Sequence, residues 1–243
     1  MALALAPVAP GTPEGAAPLN GKVVVIDPGH NPRNAGHASQ IAREVDAGTL
    51  RKACDTVGAQ TTDGYPEWRH NLRVARRLAR ILRARGAAVV LTHDGRRPRW
   101  GPCITKRARI ANRLDADAAV SIHADGHAGP GRGFHIIHPA SVEGLTDDIA
   151  PASGRLARDI RRSFRRITGL PLSDYAGSRG LHRRSDIGGL NLSDVPKVLV
   201  EAGNLRDERD ASLLTASGFQ WREARGLADG LSAFLTRLPR LVE

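Results

Sequence analysis

Val23-Val24-Val25-Ile26-Asp27-Pro28-Gly29-His30-Asn31 is the stretch that decides the fold. Four β-branched apolar residues run into a tight Asp-Pro-Gly turn and then a histidine. A short apolar run bounded by turn residues reads as a strand buried on both faces, as in a parallel sheet. The form recurs in Ala118-Ala119-Val120-Ser121-Ile122 before His123, and in Val198-Leu199-Val200 before Glu201. In open α/β sheets, ligands bind just beyond the carboxyl ends of such strands. Three strands that each deliver a metal-capable side chain at that end point to one shared site. Two imidazoles and a carboxylate suit zinc, with a further carboxylate near to handle protons. The residues alone imply a zinc-dependent hydrolytic site.

Working outward, strand-like runs fall at 22–27, 87–92, 117–123, 133–138 and 197–201, with a weaker one at 180–184. Helical periods lie between them. Residues 66–85 put Leu72, Ala75, Leu78, Ala79 and Leu82 on one face and most of their arginines elsewhere. Pro66 and Glu67 suit the first turn of that helix, and Gly86 ends it. Further helices are expected over 105–114, 152–168 and 217–238. The stripe of the last, which starts at Trp221 and ends at Leu238, is read as core. Strands alternating with helices predict an α/β fold: a single three-layer domain with a mostly parallel, twisted sheet of about six strands flanked by helices. Residues 31–66 are a long, polar insertion between a strand and its helix, the form of a lid or binding loop.

The chain has 243 residues, 41% hydrophobic, enough to bury a core in which Leu, Val, Ile and Ala replace scarce aromatics. No apolar stretch approaches the roughly 20 residues of a membrane span. The net charge is +11, and thirty-two of the 36 basic residues are arginine. Such a balance favours a polyanionic partner, either nucleic acid or an anionic cell wall. Residues 1–20, rich in Ala, Pro and Gly, read as a flexible remnant of a secretory leader and linker. The two cysteines, Cys54 and Cys103, lie in turn-rich segments with no CxxC pair. In an exported chain they predict a disulfide.

Four motifs in order, VVVIDPGHN at 23–31, ExxxNL at 67–72, SIHAD at 121–125 and VLVEAGNLRD at 198–207, resemble the zinc-dependent N-acetylmuramoyl-L-alanine amidases of the amidase-3 type. An RxxxAN motif ending at Asn112, read from Arg107 or Arg109, belongs to the same pattern. The resemblance implies a bacterial cell-wall hydrolase that cuts between N-acetylmuramic acid and L-alanine of peptidoglycan. It implies His30, Glu67 and His123 as zinc ligands and Glu201 as the catalytic carboxylate. Glu67 comes from the resemblance alone, and Glu44 in the insertion is its rival. His70 is the nearest candidate for an additional ligand. Ser121 is set aside as a nucleophile because it is expected on the opposite face of its strand from the site. Arg33, Arg69 and Arg132 are candidates for binding stem-peptide carboxylates. Asn31-Pro32-Arg33-Asn34 and Trp68 depart from the family pattern, as does the 31–66 insertion. The expected context is a secreted, periplasmic or wall-bound monomer, residues 21–243 forming the catalytic domain, with peptidoglycan or muropeptide as substrate and no nucleic acid. A zinc carboxypeptidase and a non-catalytic basic wall-polymer binder are the alternatives.

Overall fold

The computed structural model describes residues 18–237. In chain order its elements are β1 (Val23–Pro28), α1 (Ala38–Ala42), β2 (Glu44–Asp46), β3 (Arg51–Ala53), α2 (Glu67–Ala84), β4 (Ala88–Leu91), α3 (Ile104–Asn112) and β5 (Ala118–Asp125). They continue with β6 (His135–Pro139), α4 (Ala150–Thr168), β7 (Leu181–Arg184), α5 (Gly188–Asn191), β8 (Lys197–Asn204), α6 (Glu208–Thr215) and α7 (Ser217–Leu235). Six strands form one sheet in the order β4-β1-β5-β8-β6-β7. All neighbours are parallel except β8 and β6, which are antiparallel. The three metal-capable strand ends of β1, β5 and β8 therefore lie side by side at one edge.

The sheet separates two unequal layers. On one face Val24, Ile26, Val120, Ile122, Val198 and Val200 pack against Leu78, Leu82, Leu156, Ile160, Phe164, Leu227 and Leu231 of α2, α4 and α7. Each such side chain contributes about 1.5–3 kcal/mol by leaving water. Close approach of α7 to α4 depends on two glycines, since a Cβ on Gly226 or Gly230 would strike the Phe164 or Ile160 backbone. The other face carries the lighter layer of α3 and α5, through Val25, Ala111, Ala119 and Val195 and through Ile137, Leu190 and Leu199. Residues on this face alternate with those in the main core, so Asp27, Ser121, His123 and Glu201 all project here.

Every expected strand is present, and the three-layer α/β architecture holds. The antiparallel β6 has a physical reason: only nine residues, 126–134, separate it from β5, too few for a parallel crossover. Trp221 corrects the expected core stripe. It lies outside the core, 37% exposed, with the Arg77 and Arg80 guanidiniums 5.4 Å from its ring centroid. Leu238, and all but residues 18–20 of the 1–20 segment, fall outside the described residues; Leu19 is fully buried. The insertion holds α1 and a β2–β3 hairpin in addition to loops, and its Ile41 is buried. Among the described residues no helix is long and apolar enough to cross a membrane.

Candidate metal centre

β1 ends in a sharp turn. Gly29 N–H donates to the Ile122 carbonyl at 2.9 Å, and His30 then adopts φ +60°, rare for a residue with a Cβ. Such local strain, about 1–3 kcal/mol, is kept only where the surroundings enforce it. The turn brings the His30 ring edge-on to His123 from β5, with centroids 4.9 Å apart. Gly29 is required by packing, since a Cβ there would collide with the His123 ring.

Glu67 enters from the first turn of α2, between the two imidazoles. Its Oε2 lies 3.1 Å from His30 Nε2 and its Oε1 2.9 Å from His123 Nδ1. One ligand atom from each of His30, Glu67 and His123 lies within 4.8 Å of the others. The carboxylate is held in place by Ala59 N–H at 2.8 Å and by Asn71 Nδ2 at 3.2 Å. His30 Nδ1 faces the Thr56 carbonyl at 3.1 Å. Donation there orients the ring so that Nε2, which faces Glu67, is the nitrogen at which a metal would replace the proton. Burial disfavours charge on all of these groups, yet Glu67 is held well below the usual carboxylate range by His30 and His123. Burial would lower the His30 imidazole, but Glu67 and Asp55 override it and raise it to about 10. The pocket therefore favours a cation, and its nitrogen and oxygen donors suit zinc.

Glu201 is the register partner of His123 across β5 and β8. Its Oε2 is buried without a hydrogen bond. Burial, reinforced by the Glu67 and Asp125 charges, pushes its carboxyl well above the usual range. A carboxyl raised in this way holds a proton more readily than a free one, which suits it to proton transfer.

The other candidates are placed elsewhere. Glu44 is exposed on β2 and paired with Arg51. His70 is fully buried and engaged by Glu223 of α7 at 3.0 Å, which leaves it outside the ligand cluster. Ser121 corrects an expectation, since it shares a strand face with His123 two residues on and lines the same pocket. Its hydroxyl is committed to Asp27 Oδ2 at 3.0 Å, which leaves it unsuited as a nucleophile. Arg132 is paired with Asp210 at 2.9 Å, Arg69 lies over the Tyr65 and Trp68 rings, and Arg33 lies in an outer groove with His37 and Arg99.

Sequence reasoning missed what lies beneath the site. Asp27 is buried and receives Arg107 Nη1 at 2.8 Å, Lys197 Nζ at 3.4 Å and the Thr92 hydroxyl at 2.7 Å. Arg107 also reaches Asp55 at 2.9 Å, so two acids and two bases form a neutral buried quartet. The available signal was a charge inside or beside an apolar run, at Asp27 and Lys197, with the arginine of the RxxxAN motif. The predicted disulfide joins Cys54 to Cys103. It ties the loop carrying Asp55 and Thr56, both of which face His30, to the start of α3.

A family model for N-acetylmuramoyl-L-alanine amidase, amidase-3, matches residues 24–233. An N-acetylmuramoyl-L-alanine amidase of Mycobacterium tuberculosis is 39% identical over 223 residues, 90% of each chain. The crystal structure of the N-acetylmuramyl-L-alanine amidase of Mycobacterium smegmatis superposes with a TM-score of 0.81 at 35% identity, covering 89% of this chain and 98% of that one. The apo form from Mycobacterium abscessus gives 0.81 at 36% identity, with 89% and 99% covered. The resemblance carried by the four motifs thus extends over almost the whole fold, and the chain belongs to the amidase-3 family of N-acetylmuramoyl-L-alanine amidases.

Proposed function

We propose that His30, Glu67 and His123 hold a zinc ion with which the chain hydrolyses the amide between N-acetylmuramic acid and L-alanine in peptidoglycan, with Glu201 as the catalytic carboxylate. The observation that carries this reading is the convergence of three ligand atoms within 4.8 Å beside a buried, unpartnered carboxylate oxygen on the neighbouring strand. When bound, zinc would supply Lewis acidity that polarises a carbonyl and lowers the pKa of water to about 7. Glu201 accepts the proton of the attacking water as the new C–O bond forms. It then delivers that proton to the L-alanine nitrogen as the C–N bond breaks. Glu67, fixed by Ala59 and Asn71, keeps its charge in the ligand set, while Glu201, with no such donors, is free to change protonation.

A carboxypeptidase would need an arginine at the site to clamp a terminal carboxylate. Arg107 is committed to Asp27 and Asp55, and Arg132 to Asp210, which favours the amidase reading. Residues 21–243 form the catalytic domain, acting as a monomer at the cell wall after export. The test is release of new amino groups from purified peptidoglycan. Chelation abolishes the release and zinc restores it; activity that survives removal of all metal would refute the reading.

A further inference from the structure

The sheet topology brings a second feature to the edge that carries the metal centre. β6 is antiparallel to β8, with His135 opposite Glu201, so the first residue of β6 lies at the site's edge. β7 runs parallel to β6, which puts its first residue, Leu181, and the loop before it at that edge as well. That loop carries Arg179 at φ +51°, between Gly177 and Gly180, which also have positive φ. A left-handed arginine is strained, and it is held by Arg161 of α4, which donates to its carbonyl at 3.0 Å.

The contact completes a groove of about 610 Å³ lined by Arg161, Arg162, Arg165, Arg166, Leu172 and Arg179. Arg162 has Asp159 at 3.9 Å and Arg166 has Asp229 at 3.5 Å. Among the described residues no carboxylate lies within 4.0 Å of the other three arginines. Three uncompensated guanidiniums in one groove exceed what a single terminal carboxylate neutralises. They are built for bidentate capture of several carboxylates.

We infer that this groove docks the anionic stem peptides that neighbour the scissile one on the same peptidoglycan polymer. The inference rests on the amidase reading and adds a second point of attachment to it. From β5 to β7 is three strand spacings, about 14 Å at about 4.8 Å each, and α4 packs on the face of the sheet away from His123 and Glu201, which lengthens the path. An extended chain covers at most about 3.5 Å per residue, so the stem being cut is largely used up before the groove begins. Neighbouring stems on the same polymer are not bound by that limit. Attachment at two points raises the local substrate concentration at the metal centre without changing its chemistry.

The experiment compares the wild type with Arg161→Gln/Arg165→Gln/Arg179→Gln on two substrates. One is insoluble peptidoglycan stripped of phosphate-bearing polymers, and the other is a soluble muropeptide with a single stem. The triple variant loses at least about tenfold in rate on the insoluble polymer at low enzyme, the lower side of avidity gains. Its kcat/KM on the soluble muropeptide is unchanged, and added salt slows it less than the wild type. Arg179→Gly, which suits φ +51°, replaces Arg179→Gln if thermal unfolding shows the triple variant destabilised. A control triple, Arg96→Gln/Arg109→Gln/Arg113→Gln, makes the same charge change on exposed residues elsewhere and keeps full activity on the polymer. Equal loss on both substrates, no loss on either, equal loss in the control, or loss only on unstripped walls would each overturn the inference. Failure of the wild type to cut either substrate would overturn the amidase reading instead. Pelleting of the protein with stripped peptidoglycan still tests the groove in that case.

Discussion

Replacing Asp27 by Asn removes one charge from the buried quartet and leaves its shape nearly intact. Asp27 is 3% exposed, Arg107 4% and Lys197 1%, so none of the three can turn to water. With Asp27 neutral, Asp55 still pairs with Arg107, but Lys197 loses the one acid it faces, and one buried positive charge is uncompensated. Breaking a buried pair from one side costs about 3–5 kcal/mol. The cost has a relief valve. Burial already lowers the Lys197 pKa, with Arg107 adding repulsion and Asp27 opposing both. Without Asp27 the lysine gives up its proton more readily, so the loss of stability shrinks as pH rises. Asp27→Asn/Lys197→Met removes one charge of each sign, and urea unfolding at pH 7 checks the result. The single Asp27→Asn variant falls by about 3–5 kcal/mol at unchanged m, and the double variant recovers at least about 1 kcal/mol of it. A double variant as unstable as the sum of its singles would refute the charge-balance argument.

Reduction of Cys54–Cys103 opens a 49-residue separation and lowers stability by up to about 4 kcal/mol in the chain-entropy model. Denaturant midpoints with and without reductant check it, and identical midpoints contradict it. Acid destabilises the fold through two buried histidines, because burial lowers the imidazoles of His93 and His135 from 6.5 to about 4. Between those values the unfolded chain binds more protons, so stability is complete above pH 6.5 and falls as pH drops toward 4, by about 1.4 kcal/mol per unit for each group. His135→Gln flattens that slope in urea titrations between pH 7 and 4.5; an unchanged slope would remove His135 from the explanation.

The strands were legible because Val23–Ile26, Ala118–Ile122 and Val198–Val200 are apolar on both faces, a pattern that only a covered sheet satisfies. Their ends pointed to three of the four candidate site residues. Glu67 was not legible from periodicity, since a glutamate in the first turn of α2 also serves the helix dipole; only the family pattern singled it out. The β2–β3 hairpin was hidden because its strands have three residues each and bury little. α6 was overlooked although Asp207 announces it, its side chain accepting from the Arg209 and Asp210 backbone N–H groups. The direction of β6 was available from the nine-residue connection before it. Trp221 misled because helical spacing identifies a stripe without saying how wide the covered face is, and here the arginines of α2 cover its edge.

Glu201→Gln separates a proton-transfer group from a metal ligand when zinc content and peptidoglycan cleavage are measured on one preparation. The substitution is nearly isosteric at a position that makes no hydrogen bond through Oε2. One zinc per chain, an unchanged fold and a loss of at least about 10²-fold in turnover are expected, the lower range for a general acid–base group. Loss of zinc would make Glu201 a ligand, and unchanged turnover with zinc bound would remove it from the mechanism.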